Sequence, residues 1–119
     1  MTVQECYEAF GGDYQEVFSR LRTEERITKF LSRVLTDGSY QLLLDSVASG
    51  NGDEAFRAAH TLKGLCMNLS ITRFAQSAST LTETLRDNRV IDDSLNPLLD
   101  KVKEDYELTI SCIKQLVGQ

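Results

Sequence analysis

The chain has 119 residues, 41% of them hydrophobic, and a formal net charge of −5. This length suits one domain with a single core, and no apolar run is long enough to span a bilayer. An acidic chain with scattered basic residues is unsuited to nucleic acid, which requires a concentrated positive surface. The first residues lack the basic and then apolar pattern of a signal peptide, so we expect a cytoplasmic protein.

The cysteines and the single histidine argue against a zinc-type cluster. Cys6, Cys66 and Cys112 lie far apart, and no C-x-x-C pair occurs. Each falls on or near an apolar stripe, which predicts buried free thiols. We therefore expect no metal site and no cofactor in this chain.

Residues 1–22 are predicted to form short helices that cap one end of the molecule. Thr2 and Glu5 have the spacing of a helix-capping box. Gly11-Gly12 ends the helix that follows, and Asp13 can cap a second one.

Longer helices are predicted where apolar residues recur every three or four positions. Their approximate ranges are 23–36, 39–49, 53–69, 71–87 and 97–117. No segment shows the period-two alternation of a half-buried strand. The sequence thus predicts a single all-α domain over 1–119, an antiparallel four-helix bundle within 23–117 with additional short N-terminal helices.

The helix predicted over 53–69 carries the only histidine, His60, opposite its apolar stripe. At about 100° per residue, the stripe gathers Ala55, Ala58, Ala59, Leu62, Leu65, Cys66 and Leu69. The outward face around His60 contains Phe56, Arg57, Lys63, Gly64 and Met67. A solvent-facing imidazole is largely neutral at physiological pH, and a neutral ring nitrogen is a nucleophile.

Gly64 and two apolar neighbours suggest that this face receives a partner. A glycine inside a helix costs roughly 1 kcal/mol relative to alanine, and close helix packing cannot recover that cost on an exposed face. A partner that approaches the backbone one turn from His60 would explain the glycine. Phe56 and Met67 are typical of a docking patch when they flank a polar residue.

The next predicted helix, 71–87, runs back antiparallel because the connection is short. It should therefore bring its own side chains beside His60, namely Ser79, Thr82 and Glu83.

From spacing alone, an outward histidine or lysine such as His60 or Lys63 is most often an ordinary solvated residue.

The motif His60-Thr61-Leu62-Lys63-Gly64 has two alanines before it and Asn68-Leu69 after it. It resembles the phosphoacceptor motif of histidine phosphotransfer (HPt) domains. That family is an all-helical module of about this size, so the resemblance covers most of the chain.

The resemblance implies a phosphorelay intermediate in a two-component system. His60 would accept a phosphoryl group from a receiver-domain aspartate, or from a hybrid sensor histidine kinase, and pass it to a response-regulator receiver domain. Lys63 would help neutralise the phosphoryl group, and Gly64 would leave room for the receiver. The partner-contacting residues would be Phe56, Arg57, Gly64, Met67, Ser79, Thr82 and Glu83.

Two positions depart from the family pattern. The family commonly has glycine ten residues after the histidine, where this chain has Ser70. It often has glutamine on the next helix near the imidazole, and the position that we match to it is Thr82. The first departure affects how the helix ends, and the second affects how the imidazole is oriented.

We expect no autonomous kinase activity, because no second polar group in the sequence is placed to converge on His60. Phosphoryl transfer depends mostly on positioning and charge neutralisation. Magnesium and an acidic pocket are therefore expected in the partner receiver domain. A self-contained bundle of this kind can be monomeric, and we expect a monomer that does not insert into a membrane.

Two alternatives remain open from the sequence. The first is an interaction module that binds a receiver or a kinase without being phosphorylated, which the departures at Ser70 and Thr82 would favour. The second is the phosphoacceptor module of a larger chemotaxis-type kinase. Because the chain runs from Met1 to Gln119, we expect a free-standing protein.

Overall fold

A computed structural model describes residues 1–118 of the chain, and all regular structure in that range is helical. The α-helices are α1 (Val3–Phe10), α2 (Tyr14–Leu21), α3 (Glu24–Val34), α4 (Ser39–Ala48), α5 (Gly52–Asn68), α6 (Thr72–Asp87) and α7 (Asn96–Val117). A short 3-10 turn, Asp93–Leu95, precedes α7. The prediction of an all-α helical bundle is confirmed, and the bounds of the longer helices differ from the predicted ranges by at most two residues.

Side-chain caps begin several of these helices, and those at Thr2 and Asp13 are the ones that the sequence predicts. Thr2 and Glu5 form the complete capping box at the start of α1. Asp13 caps α2, and Thr23 caps α3. At α5 the cap is Asn51, whose side-chain oxygen accepts from the Glu54 amide at 3.1 Å. An oxygen at that position satisfies an amide that has no partner inside the helix.

Helix α5 lies between α4 and α6, and α7 completes the bundle by contacting α6, α3 and α1. The predicted stripe of α5 faces inward. Its buried members are Ala55, Ala58, Ala59, Leu62, Cys66 and Leu69, whereas Leu65 is half-buried. Burial of this face leaves the opposite side of α5 in solvent.

The short N-terminal helix α1 is part of the core. Its inward residues are Val3, Cys6, Tyr7 and Phe10, each at most 4% exposed. The Tyr7 hydroxyl donates to the Leu69 carbonyl oxygen at 2.7 Å. A buried phenol requires such a partner, and this bond joins α1 to the end of α5.

Ser70 forms the corner between α5 and α6 in a left-handed conformation, with φ 54°. Its hydroxyl donates to Glu16 Oε1 at 2.7 Å and accepts from Arg20 of α2. Arg20 also donates to the Met67 carbonyl oxygen at 3.2 Å. A serine at this position costs backbone energy that a glycine would avoid, but its side chain ties the corner to α2.

An ion pair and an aromatic stack are among the contacts that attach α7 to α6 and α4. Asp105 of α7 is 1% exposed and lies 3.0 Å from Arg73 Nε of α6, with Lys101 Nζ 3.6 Å away. Two cations thus balance a buried carboxylate whose charge would otherwise be costly. The rings of Tyr40 and Tyr106 are parallel within 3° and 3.6 Å apart, which joins α4 to α7.

A membrane span would need a long apolar helix, and none of the helices in residues 1–118 meets that requirement.

The thiols of Cys6, Cys66 and Cys112 are free and buried, as predicted. Burial raises the pKa of Cys6 from 9.0 to about 12, and it raises the pKa of Cys66 as well. The unfolded chain therefore loses these protons at a lower pH than the folded chain. Their contribution to stability is fully present below about pH 9 and declines as the pH rises towards 12.

We predict that the free energy of unfolding falls above about pH 9, by up to roughly 1.4 kcal/mol per pH unit for each such thiol. Urea unfolding at a series of pH values measures this slope. A thiol reagent should also modify the native protein far more slowly than the unfolded chain. A constant unfolding free energy up to about pH 10.5 would contradict the expectation.

Candidate functional site

His60 lies in the middle of α5 and points into solvent, as predicted. Its neighbours Ala58, Ala59 and Leu62 are buried, which fixes the rotation of the helix about its axis. The imidazole is therefore presented to solvent by a helix whose other side is locked in the core. A ring nitrogen in this position can attack an electrophile that a second molecule delivers.

Phe56 is less available to a partner than its sequence position suggests. It is half-buried, and its ring centroid lies 5.9 Å from that of His60. The guanidinium groups of Arg86 and Arg89 lie over the Phe56 ring, 5.0 and 4.0 Å from its centroid. These cation–π contacts cover much of the ring, so the surface beside His60 is a mixed aromatic and cationic one.

Lys63 follows His60 by one turn and reaches towards α6. Its Nζ lies 3.6 Å from Glu83 Oε1. Arg86 binds the same carboxylate, with Nε 3.1 Å from Oε2. This chain of charges, Lys63–Glu83–Arg86, connects α5 and α6 one helical turn from His60.

Open space surrounds Gly64. A Cβ built at this position would have no heavy atom within 4 Å outside its local backbone. Met67, one turn further on, is 53% exposed. Arg57 is exposed on the other side of His60, where it pairs with Glu54 at 2.6 Å. The backbone at Gly64 is thus accessible, and no contact within residues 1–118 requires a glycine there.

The structure corrects the prediction for Thr82. Its side chain is fully buried, and its hydroxyl donates to the Ala78 carbonyl oxygen at 2.7 Å. It cannot belong to a surface that touches a partner, and its hydroxyl proton is engaged away from the imidazole. Of the other predicted residues on α6, Glu83 is exposed and Ser79 is half-buried. Only the outward side of a packed helix can contact another molecule, and Thr82 lies on the side of α6 that faces the core.

Sequence analysis missed Arg86 and Arg89. A signal existed for Arg86, because it follows Glu83 by three positions on one helix and such residues are neighbours. Arg89 lies in the loop after α6 and forms an ion pair with Asp53 at 2.9 Å. Periodicity gives no information on which helix a loop residue contacts, so the sequence offered no comparable signal.

The beginning of α5 closely contacts that loop. A Cβ at Gly52 would lie 1.6 Å from the Arg89 carbonyl oxygen. Glycine is thus required at position 52 by packing, in contrast to Gly64. The close approach places Arg89 where its side chain covers Phe56.

The described residues provide no obvious metal centre. Within residues 1–118, no group of three or more histidine, cysteine, aspartate or glutamate residues is placed to hold a metal ion. The site contains one exposed nucleophile, one neighbouring ammonium group and a paired carboxylate. This arrangement can accept a group from another molecule, and the accessible backbone at Gly64 leaves room for that molecule.

Residues 8–110 match the family model described as the Hpt domain. The match covers most of the chain and includes helices α2 to α6 completely. No curated protein and no solved structure matches the chain.

The two glycines of α5 provide a paired prediction. Gly64→Ala should raise the free energy of unfolding by about 0.5–1 kcal/mol, because alanine is the better helix former and its methyl group meets nothing. Gly52→Ala should lower it by about 1–3 kcal/mol, because the methyl group would collide with the Arg89 backbone.

Denaturant unfolding of the two variants beside the unsubstituted protein measures both effects, and each variant serves as the control for the other. Loss of stability in Gly64→Ala would show that the helix at that position has a packing requirement.

Proposed function

Since the chain belongs to the Hpt domain family, we propose that it is a phosphorelay intermediate in which His60 carries the phosphoryl group. The observation that supports this most strongly is the exposed His60 with open space one turn away at Gly64. The donor is a receiver-domain aspartyl phosphate or a hybrid sensor kinase. The acceptor is the receiver domain of a response regulator.

The transfer step uses the lone pair of a neutral imidazole nitrogen, which we assign to Nε2. This nitrogen attacks phosphorus, a nitrogen–phosphorus bond forms, and the bond from phosphorus to the aspartate oxygen breaks. The aspartate leaves as a carboxylate with the bonding electrons. The reverse sequence, on a different receiver aspartate, passes the group onward.

The chain itself provides the nucleophile and one nearby cation, Lys63. Phosphoryl transfer depends mainly on alignment and on neutralising the charge of the transferred group. Magnesium and the acidic residues that bind it belong to the receiver domain in this proposal. The chain is therefore a carrier and has no kinase activity of its own.

A receiver domain would dock over the outward faces of α5 and α6. Met67 offers apolar surface, Arg57 and Glu83 offer charge, and Gly64 allows close approach of the backbone. The half-buried Phe56 contributes together with the two arginines over its ring. A cytoplasmic monomer suits this role, because the carrier must meet two different partners on one face.

We predict that His60→Gln abolishes acid-labile labelling when the protein is incubated with a phosphorylated receiver or an autophosphorylated hybrid kinase. Glutamine retains the polarity of an exposed residue, so the fold should be unaffected. The measurement is radiolabel transfer resolved on a gel, with acid treatment to identify phosphohistidine. Equal labelling of both forms would exclude His60 as the acceptor, whereas binding without labelling of either form would favour an interaction module.

We predict that Lys63→Ala slows transfer by at least about tenfold, because charge-stabilising groups at a transferring phosphoryl contribute on that order or more. The side chain contacts Glu83 across the helix pair and is not part of the apolar core. The unfolding midpoint should therefore stay close to that of the unsubstituted protein. Single-turnover transfer at several receiver concentrations separates slower chemistry from weaker docking, and unchanged kinetics would contradict the role of Lys63.

A further inference from the structure

Lys63 already has a counterion on the neighbouring helix. Its Nζ lies 3.6 Å from Glu83 Oε1, and its side chain is only 24% exposed. The ammonium group is therefore held against the α5–α6 pair instead of extending freely into solvent. Any phosphoryl group placed on His60 must compete with Glu83 for this cation.

Glu83 has a second partner that does not depend on Lys63. Arg86 lies 3.1 Å from Oε2 through Nε and 3.5 Å from Oε1 through Nη2. The hydrogen bond from Arg86 is the main cause that lowers the pKa of Glu83, with smaller contributions from the charges of Arg86 and Lys63. The carboxylate is thus ionised at neutral pH, and it keeps a cationic partner if Lys63 moves away.

We propose that Glu83 is a positioning residue that holds Lys63 beside His60 before transfer and yields it to the phosphoryl group afterwards. This inference rests on the proposed function of His60. Lys63 lies one turn from His60, where side chains are neighbours. A phosphoryl group brings a charge near −2 and three acceptor oxygens, so it attracts the ammonium more strongly than one carboxylate does.

The exchange leaves the other ion pairs of the surface intact. Arg57 pairs with Glu54 at 2.6 Å, and Arg89 pairs with Asp53 at 2.9 Å. Glu54 therefore provides a matched control: Glu54→Gln removes the same charge from a carboxylate on α5 whose ion-pair partner is Arg57, not Lys63.

The test uses a small-molecule donor, so that no partner protein is needed. Potassium phosphoramidate phosphorylates an accessible imidazole when the ring nitrogen attacks phosphorus and ammonia leaves. The second ionisation of the resulting phosphoryl group is then followed by ³¹P NMR titration. Four proteins form a double-mutant cycle: the unsubstituted chain, Glu83→Gln, Lys63→Gln and the double variant.

We expect Glu83→Gln to favour the dianionic phosphoryl group by about two- to fivefold, the range of an exposed ion pair, and so to lower its apparent pKa. In this variant no carboxylate at position 83 competes with the phosphoryl group for the Lys63 ammonium group. In the Lys63→Gln background the same substitution should have little effect, and Glu54→Gln should have little effect in either background.

Equal effects of Glu83→Gln in both backgrounds would mean that Glu83 acts by direct repulsion, which overturns the proposal. The absence of any effect would overturn it as well. In either case phosphorylation of His60 still occurs, and the proposed function stands.

If phosphoramidate modifies none of the four proteins, His60 is not an available nucleophile, and the proposed function fails together with this inference. A purely structural role of Glu83 would change the unfolding midpoint without coupling to Lys63.

Discussion

The orientation of His60 depends on one constraint, the burial of a narrow strip of small side chains on α5. Ala55, Ala58 and Ala59 face the core and allow α4 and α6 to approach closely from both sides. A helix with one buried face has a fixed rotation about its own axis. The residue opposite that strip must face solvent, and in this chain that residue is His60.

Contacts at both ends of α5 support this placement. At its beginning, Gly52 lets the loop after α6 come close, and Arg89 binds Asp53. At its end, Tyr7 binds the Leu69 carbonyl oxygen, and Arg20 binds that of Met67. Carbonyl groups in the last turn of a helix have no partner inside it. The short N-terminal helices therefore stabilise the helix that carries His60 although they lie outside the site.

The fold and the centre of the site could be predicted from the sequence because both follow from periodicity within one helix. The stripe of α5, its exposed histidine and the exposed positions at Arg57 and Met67 all depend on a rotation of about 100° per residue. Thr82 was expected beside His60 because an antiparallel neighbour brings that stretch alongside. It follows Ala78 by four positions and precedes Leu85 by three, so the apolar stripe of α6 already places it on the core side. The cover of Phe56 was missed for a different reason, because Arg89 reaches that ring from a loop and periodicity does not place loop residues.

The parallel stack of Tyr40 and Tyr106 gives the molecule an optical reporter of its own. The chain contains four tyrosines and no tryptophan, so its ultraviolet emission comes from phenol rings alone. Two rings in parallel contact at 3.6 Å are close enough for their excited states to couple, unlike rings held far apart. Separation of the fourth and seventh helices would end that coupling, so tyrosine emission can follow this contact without an attached dye.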